Sequence, residues 1–244
     1  TASDAARAVW QSYEAYTGSR YTDLWLMLGD NAYSSGMDEE YQRAVFDMYP
    51  DLLRQTVLWP TLGNHDFPQP YLDIFTLPKS GEAGGVASGT EHYYSFDYGN
   101  IHFVCLDASW SDRSSGGVMC NWLREDLAEN TKDWIIAFWH QPPYSKGSHN
   151  SDGEIDLIQM RENAVPILES FGVDLVHIEP TKSAPTASLD AARWSPVPFA
   201  RVAADAAWRL VPPLYVVASV AADIDFVDTL YYVRRGNQRE IVAD

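Results

Sequence analysis

The chain has 244 residues, 46% of them hydrophobic and 13% aromatic, which is enough to bury one large α/β core and too much for a disordered chain. Its formal net charge of -17, with 34 acidic against 17 basic side chains, sets up a field that repels nucleic acid and anionic membranes and argues against both as partners. No apolar run approaches the roughly 18 residues that a membrane-spanning helix needs.

The hydrophobic pattern predicts layered α/β structure. Ser3 or Asp4 can cap a helix reaching about Tyr16, with Ala5, Val9, Tyr13 and Tyr16 at helical spacing and Gly18 as its stop. Leu24 to Leu28 is a continuous apolar run of the kind buried on both faces of a sheet, followed by a Gly-Asp turn and a helix from about Asp38 to Met48. The Asp38-Glu39-Glu40 run reads as helix-start charge favoured by the macrodipole. Thr56 to Leu62 is a second strand, and Phe67 to Thr90, rich in Pro and Gly, reads as a long loop. Tyr93 to Tyr98 and Ile101 to Asp107 read as a hairpin across Gly99-Asn100. Amphipathic helices at Cys120 to Glu129 and Leu157 to Ser170 flank a strand from Asp133 to Trp139, and Val173 to Val176 is a further short strand.

Beyond His177 the character changes. Pro180 to Pro213 is Pro- and Ala-rich without clean periodicity, whereas Leu214 to Val220, Phe226 to Val233 and Arg239 to Val242 are β-like, with Arg235-Gly236-Asn237 as a turn. We expect a single domain over 1–244, with 1–177 carrying the chemistry and 178–244 a divergent segment ending in strands. Cys105 and Cys120 are too few for a disulfide framework; a buried free thiol is the plain reading of Cys105, and a bridge between the two stays open. Thr1-Ala2-Ser3-Asp4 lacks the regions of a secretory leader, which fits a mature, processed or incomplete chain alike.

Three strand ends carry the chemistry. The first strand runs into Gly29-Asp30-Asn31-Ala32-Tyr33, the second into Gly63-Asn64-His65-Asp66, and the Asp133 to Trp139 strand delivers His140 into Gln141-Pro142-Pro143. A carboxylate at a strand end can bridge two cations, amide oxygen and imidazole can complete a coordination shell, and glycine lets the backbone turn sharply beside them.

In this order, GDNAY, GNHD and FWHQPPY resemble the calcineurin-like metallophosphoesterases, and the tyrosine of GDNAY resembles their purple acid phosphatase branch. The likeness covers roughly Tyr21 to Val176. It implies an α/β fold, a four-layer α/β/β/α sandwich, with the metal turns on one edge. It also implies a binuclear centre of Fe(III) with Zn, Fe or Mn(II): Asp30 shared by both metals, Tyr33 on the ferric ion, Asn64 and His140 on the divalent one. His65 would bond the phosphate and assist departure of the alcohol, while a hydroxide made available by the metals attacks phosphorus. Bound cations would also reverse the chain's negative field for an anionic substrate.

Two motifs of that family are not found. The strand carrying its first metal aspartate is absent ahead of the first helix, and His177-Ile178-Glu179-Pro180 stands where a Gly-His-x-His turn is expected, leaving His177 as a weaker ligand candidate. We expect an incomplete chain rather than a degraded site. The implied function is hydrolysis of small phosphomonoesters by a secreted or periplasmic protein. The alternatives are a phosphodiesterase of the same superfamily or a non-catalytic binding module. His92, His102 and His149 read as structural or solvated, and Trp134 and Trp139 as core.

Overall fold

The computed structural model describes residues 2–145, 149–178, 232–235 and 238–241. Helix α1 (Asp4–Thr17) starts where the Ser3 hydroxyl accepts from the Ala6 N–H at 3.1 Å and stops at Gly18, whose φ of 56° suits a residue without Cβ. Strand β1 (Leu24–Met27) follows. Helix α2 (Asp38–Tyr41) widens into a π-helical turn over Gln42–Phe46, and a short helix α3 (Pro50–Leu53) leads to β2 (Val57–Pro60), which pairs parallel with β1.

The second sheet comes after helix α4 (Pro68–Ile74). It contains β3 (Tyr94–Tyr98), β4 (Ile101–Cys105), β5 (Trp134–Trp139) and β6 (Leu175–Ile178) in that spatial order; β3 and β4 form an antiparallel hairpin and the other neighbours are parallel. Each parallel connection is helical. Helix α5 (Val118–Glu129) joins β4 to β5, while α6 (Ile155–Gln159), a π-helical turn and α7 (Val165–Phe171) join β5 to β6. Strands β7 (Tyr232–Arg235) and β8 (Gln238–Ile241) form a separate antiparallel pair.

Alternation along the strands sorts the side chains into layers. Ile101, Phe103 and Cys105 of β4 and Ile136 and Phe138 of β5 join Leu26, Leu62, Tyr71 and Tyr94 in a core between the two sheets. Val104, Ile135, Ala137 and Trp139 face the other way, onto Trp122, Leu123 and Leu127 of α5 and Ile167 and Leu168 of α7. A third cluster sets Ala6 and Trp10 of α1 against Trp25, Tyr49 and Leu52. Helix, sheet, sheet, helix is the four-layer order expected from the sequence. Each large apolar side chain fully buried there contributes about 1.5–3 kcal/mol, so this core outweighs any surface ion pair.

Several expectations need correction. The stretch Phe67 to Thr90 is not all loop: Pro68 and Pro70 sit in the first turn of α4, where the missing N–H is harmless, and Tyr71 turns inward to donate to the Pro60 carbonyl at 2.7 Å. The last parallel strand lies at Leu175–Ile178 rather than 173–176. Cys105 and Cys120 are both free and belong to cores on opposite faces of the second sheet, so no bridge joins them. Pro180 to Pro213, Leu214 to Val220, most of Phe226 to Val233 and the turn at 236–237 lie outside the described residues. Among the described residues, no helix is long and apolar enough to cross a membrane.

His102, on β4, ties hairpin to helix. Its Nδ1 lies 2.8 Å from Asp97 Oδ1 of β3 and its Nε2 2.8 Å from Asp126 Oδ2 of α5, with the ring 1% exposed. Carboxylates only accept, so both ring nitrogens must carry protons. Burial works against the charge, but the hydrogen bonds and charges of Asp126 and Asp97 outweigh it and raise the pKa above the ordinary 6.5. Asp97 also meets Lys132 at 3.3 Å, and Asp126 accepts from the Ser95 hydroxyl and the Val86 N–H. A folded-state pKa above the unfolded one gives stability that is complete below about 6.5 and lost as pH rises through the folded value. Melting temperature is therefore expected to fall on the alkaline side more steeply in the wild type than in His102→Gln. In Asp97→Asn the fall should begin at lower pH. Parallel curves for all three proteins would show that His102 is not the group responsible.

Candidate metal centre

Three loops meet because β1 and β2 are paired, β5 packs across the core from them, and the turns are stripped of side-chain bulk. β1 ends at Gly29, with φ 88°, and Asp30, with φ 48°, a left-handed conformation rare for a residue carrying Cβ. A Cβ on Gly29 would sit 2.7 Å from Nδ1 of His140, and one on Gly63 would overlap the backbone nitrogen and carboxylate of Asp30. Glycine at these two positions lets the three turns close on one point.

At that point Asp30, Tyr33, His65 and His140 come together. Asp30 Oδ1 accepts from the His65 N–H at 3.0 Å and lies 3.3 Å from His140 Nε2, while Oδ2 accepts from the Tyr33 hydroxyl at 2.5 Å. His140, 6% exposed, donates from Nδ1 to the Leu28 carbonyl at 2.8 Å, which turns Nε2 toward Asp30. Asn64 is exposed, and its Oδ1 lies 3.5 Å from Gln141 Nε2. His65 donates from Nδ1 to the Ser34 carbonyl at 2.8 Å, and its ring lies against that of Tyr33 with centroids 4.7 Å apart. Glu40 accepts from the N–H groups of Ser34, Ser35 and Met37, fixing the loop that presents Tyr33. For His177 only the backbone is described; it pairs with Phe138, two residues before His140.

The carboxylates differ in character. Burial would raise the Asp30 pKa, but the His140 hydrogen bond and charge, the Tyr33 hydroxyl and the His65 amide overcome this and hold it at about 2. Asp66 was passed over as a site residue, yet it joins two of the turns. It is fully buried and accepts from the N–H groups of Asn31 at 3.0 Å, Ala32 at 3.3 Å and Gly63 at 2.9 Å, from Asn31 Nδ2 at 3.0 Å and from the Tyr41 hydroxyl at 2.7 Å. Burial raises its pKa to about 6 against the pull of those donors.

A second strut was also missed. Buried Asp107, just past β4, accepts from the N–H groups of Ser109 and Trp110, the Ser111 hydroxyl and His92 Nδ1. The loop so fixed reaches both neighbours: Ser109 Oγ bonds Gln141, and the Trp110 indole N–H donates to the Gly63 carbonyl at 3.1 Å. His92 is thus structural, as expected, and His149 is an exposed loop residue paired with Glu154.

Carboxylate, imidazole and amide oxygen suit one divalent cation, and Asp30 with Tyr33 supplies two oxygen donors suited to a ferric ion. Among the described residues, no group of three or more His, Cys, Asp and Glu side chains is placed to hold a metal. Asp30, Tyr33 and His140 make a partial donor set.

A four-layer α/β sandwich with these donors on adjoining strand ends is the architecture of a metallophosphoesterase. The sequence model of the calcineurin-like phosphoesterases matches residues 4–178, and the chain belongs to that family. It is similar to purple acid phosphatase 23 of Arabidopsis thaliana, 36% identical over 126 residues, 47% of this chain and 26% of that protein. It is also similar to purple acid phosphatase 15 of the same plant, 34% identical over 127 residues, covering 47% and 22%. Tartrate-resistant acid phosphatase type 5 of Rattus norvegicus is 24% identical over 177 residues, covering 62% of the chain and 52% of the rat protein. The chain therefore spans about a quarter of the plant relatives and half of the rat one.

Proposed function

We propose that the protein is a metal-dependent phosphoric ester hydrolase, a phosphomonoesterase of acid phosphatase type acting on small organic phosphates outside the cytoplasm. The observation that carries this reading is the gap between Asp30 and His140. With Nδ1 committed to the Leu28 carbonyl, Nε2 faces the Asp30 carboxylate oxygen 3.3 Å away: without metal a protonated ring pairs with that carboxylate, and once neutral the same nitrogen can ligate a cation. Two ligands at about 2.1 Å from one metal stand about 3.0–3.4 Å apart, so a cation can replace the proton of this pair with little movement of either side chain. The three relatives described above are acid phosphatases by name, which supports the monoesterase.

In this reading Asp30 and Tyr33 would hold a ferric ion, and Asp30, Asn64 and His140 would hold zinc, iron or manganese in the divalent state. The metals, when bound, supply positive charge that draws the phosphate in and lowers the pKa of water. The chain's own residues do the rest. His65 has Nδ1 fixed on Ser34, so Nε2 is the nitrogen that meets substrate and, when protonated, donates to a phosphate oxygen or the departing alcohol. The Tyr33 ring packed against it restricts that imidazole to one orientation.

Loaded with iron and zinc, the protein is expected to turn over nitrophenyl phosphate at least about tenfold faster than bis-nitrophenyl phosphate. The reverse order would make it a diesterase. Turnover of neither, with no metal retained after dialysis, would refute the hydrolase.

A further inference from the structure

We propose that Trp110, with Phe67 beside it, is the surface on which the organic part of the ester rests, so that the preferred substrates are monoesters of alcohols bearing an aromatic or flat apolar group. This deepens the phosphomonoesterase reading and rests on it. Trp110 is 42% exposed and Phe67 50% exposed, whereas most of the other large aromatic side chains among the described residues lie in the three cores. Their ring centroids are 5.9 Å apart with the planes tilted by 39°.

The pair sits at the metal turn. The Trp110 indole donates to the carbonyl of Gly63, the residue before Asn64 and the one whose missing Cβ admits Asp30, and Phe67 lies two residues after His65. Trp110 is also rigid, because its backbone N–H bonds buried Asp107 at 2.9 Å. An exposed indole anchored at both its edge and its backbone gains nothing for the core. It keeps an apolar face open and preorganised beside the donors, and such a face favours an aromatic ligand at small entropic expense. The chain's -17 charge acts in the same direction, since it disfavours alcohols that carry further anionic groups.

The test compares 2-phenylethyl phosphate with ethyl phosphate on metal-loaded protein. Both release simple alkanols, so their intrinsic reactivity is alike, and the ratio of kcat/KM reports the contact with the organic group. The wild type is expected to prefer the phenylethyl ester by about fivefold to tenfold, through KM. Trp110→Ala and, separately, Phe67→Ala should bring the ratio close to one. Reading a ratio on a single preparation cancels any general loss from disturbing the Gly63 turn, and Phe67→Ala removes no side-chain hydrogen bond to that turn. A wild-type ratio near one, or a ratio kept in both variants, overturns the proposal while the phosphatase reading stands. If neither ester is hydrolysed, the phosphatase reading fails by itself. Calorimetric binding of 2-phenylethylphosphonate against ethylphosphonate then decides the surface: tighter binding of the phenylethyl compound that is lost in both variants supports it, and equal or absent binding overturns it.

Discussion

Asp30→Asn is expected to strip the protein of bound metal and lower kcat/KM on nitrophenyl phosphate by at least about a thousandfold. The carboxylate touches three of the other proposed participants: Tyr33 through Oδ2, and the His65 backbone and His140 through Oδ1. Its ionisation at a pKa of about 2 keeps it anionic across any working pH. An amide of the same shape keeps one acceptor but loses the charge and sets an NH2 group against the Tyr33 hydroxyl or the donors on the other side. The fold should persist, because the three cores do not include Asp30. Elemental analysis after dialysis, steady-state kinetics and a melting curve on one preparation separate these effects. Full activity with metal retained would mean that Asp30 is not a ligand.

Asp66→Ala is expected to destabilise the protein by about 3–5 kcal/mol, lowering the melting temperature by about 10 °C, and to weaken metal retention without removing a proposed ligand. Its carboxylate accepts from both the Asp30 turn and the Asn64 turn, and the alanine variant would leave those N–H groups and the Tyr41 hydroxyl buried without partners. Asp66→Asn should be nearly as harmful. Oδ1 faces three donors, and Oδ2 faces Gly63 N–H and Asn31 Nδ2, so an amide NH2 clashes electrostatically at either end. A melting temperature within a degree of wild type for both variants would contradict this role.

Much of the fold was legible because the burial pattern is written plainly. β1, β4 and β5 are apolar runs sandwiched by layers on both faces, and Ser3 and Gly18 bound α1 through local backbone chemistry. Asp30 and His140 were legible because they follow β1 and β5 closely, and Asn64 and His65 because they follow the apolar stretch that runs through β2 to Leu62. α4 was hidden by its prolines, which read as breakers unless their place in the first turn is weighed. The struts were hidden for another reason. Asp66 and the Asp97–His102–Asp126 group draw on donors far apart in the chain, Asp107 joins its own local turn to distant His92, and no local pattern shows that five N–H and O–H groups will converge on Asp66.

The glycines at 29 and 63 carry a last implication for how such a protein can diversify. Any side chain at either position collides with His140 or Asp30, so the ground where the three turns meet is sterically closed to new shapes. Novelty in specificity is thereby channelled outward, to the surrounding rim at Phe67 and Trp110, where a substitution meets solvent rather than the reactive groups.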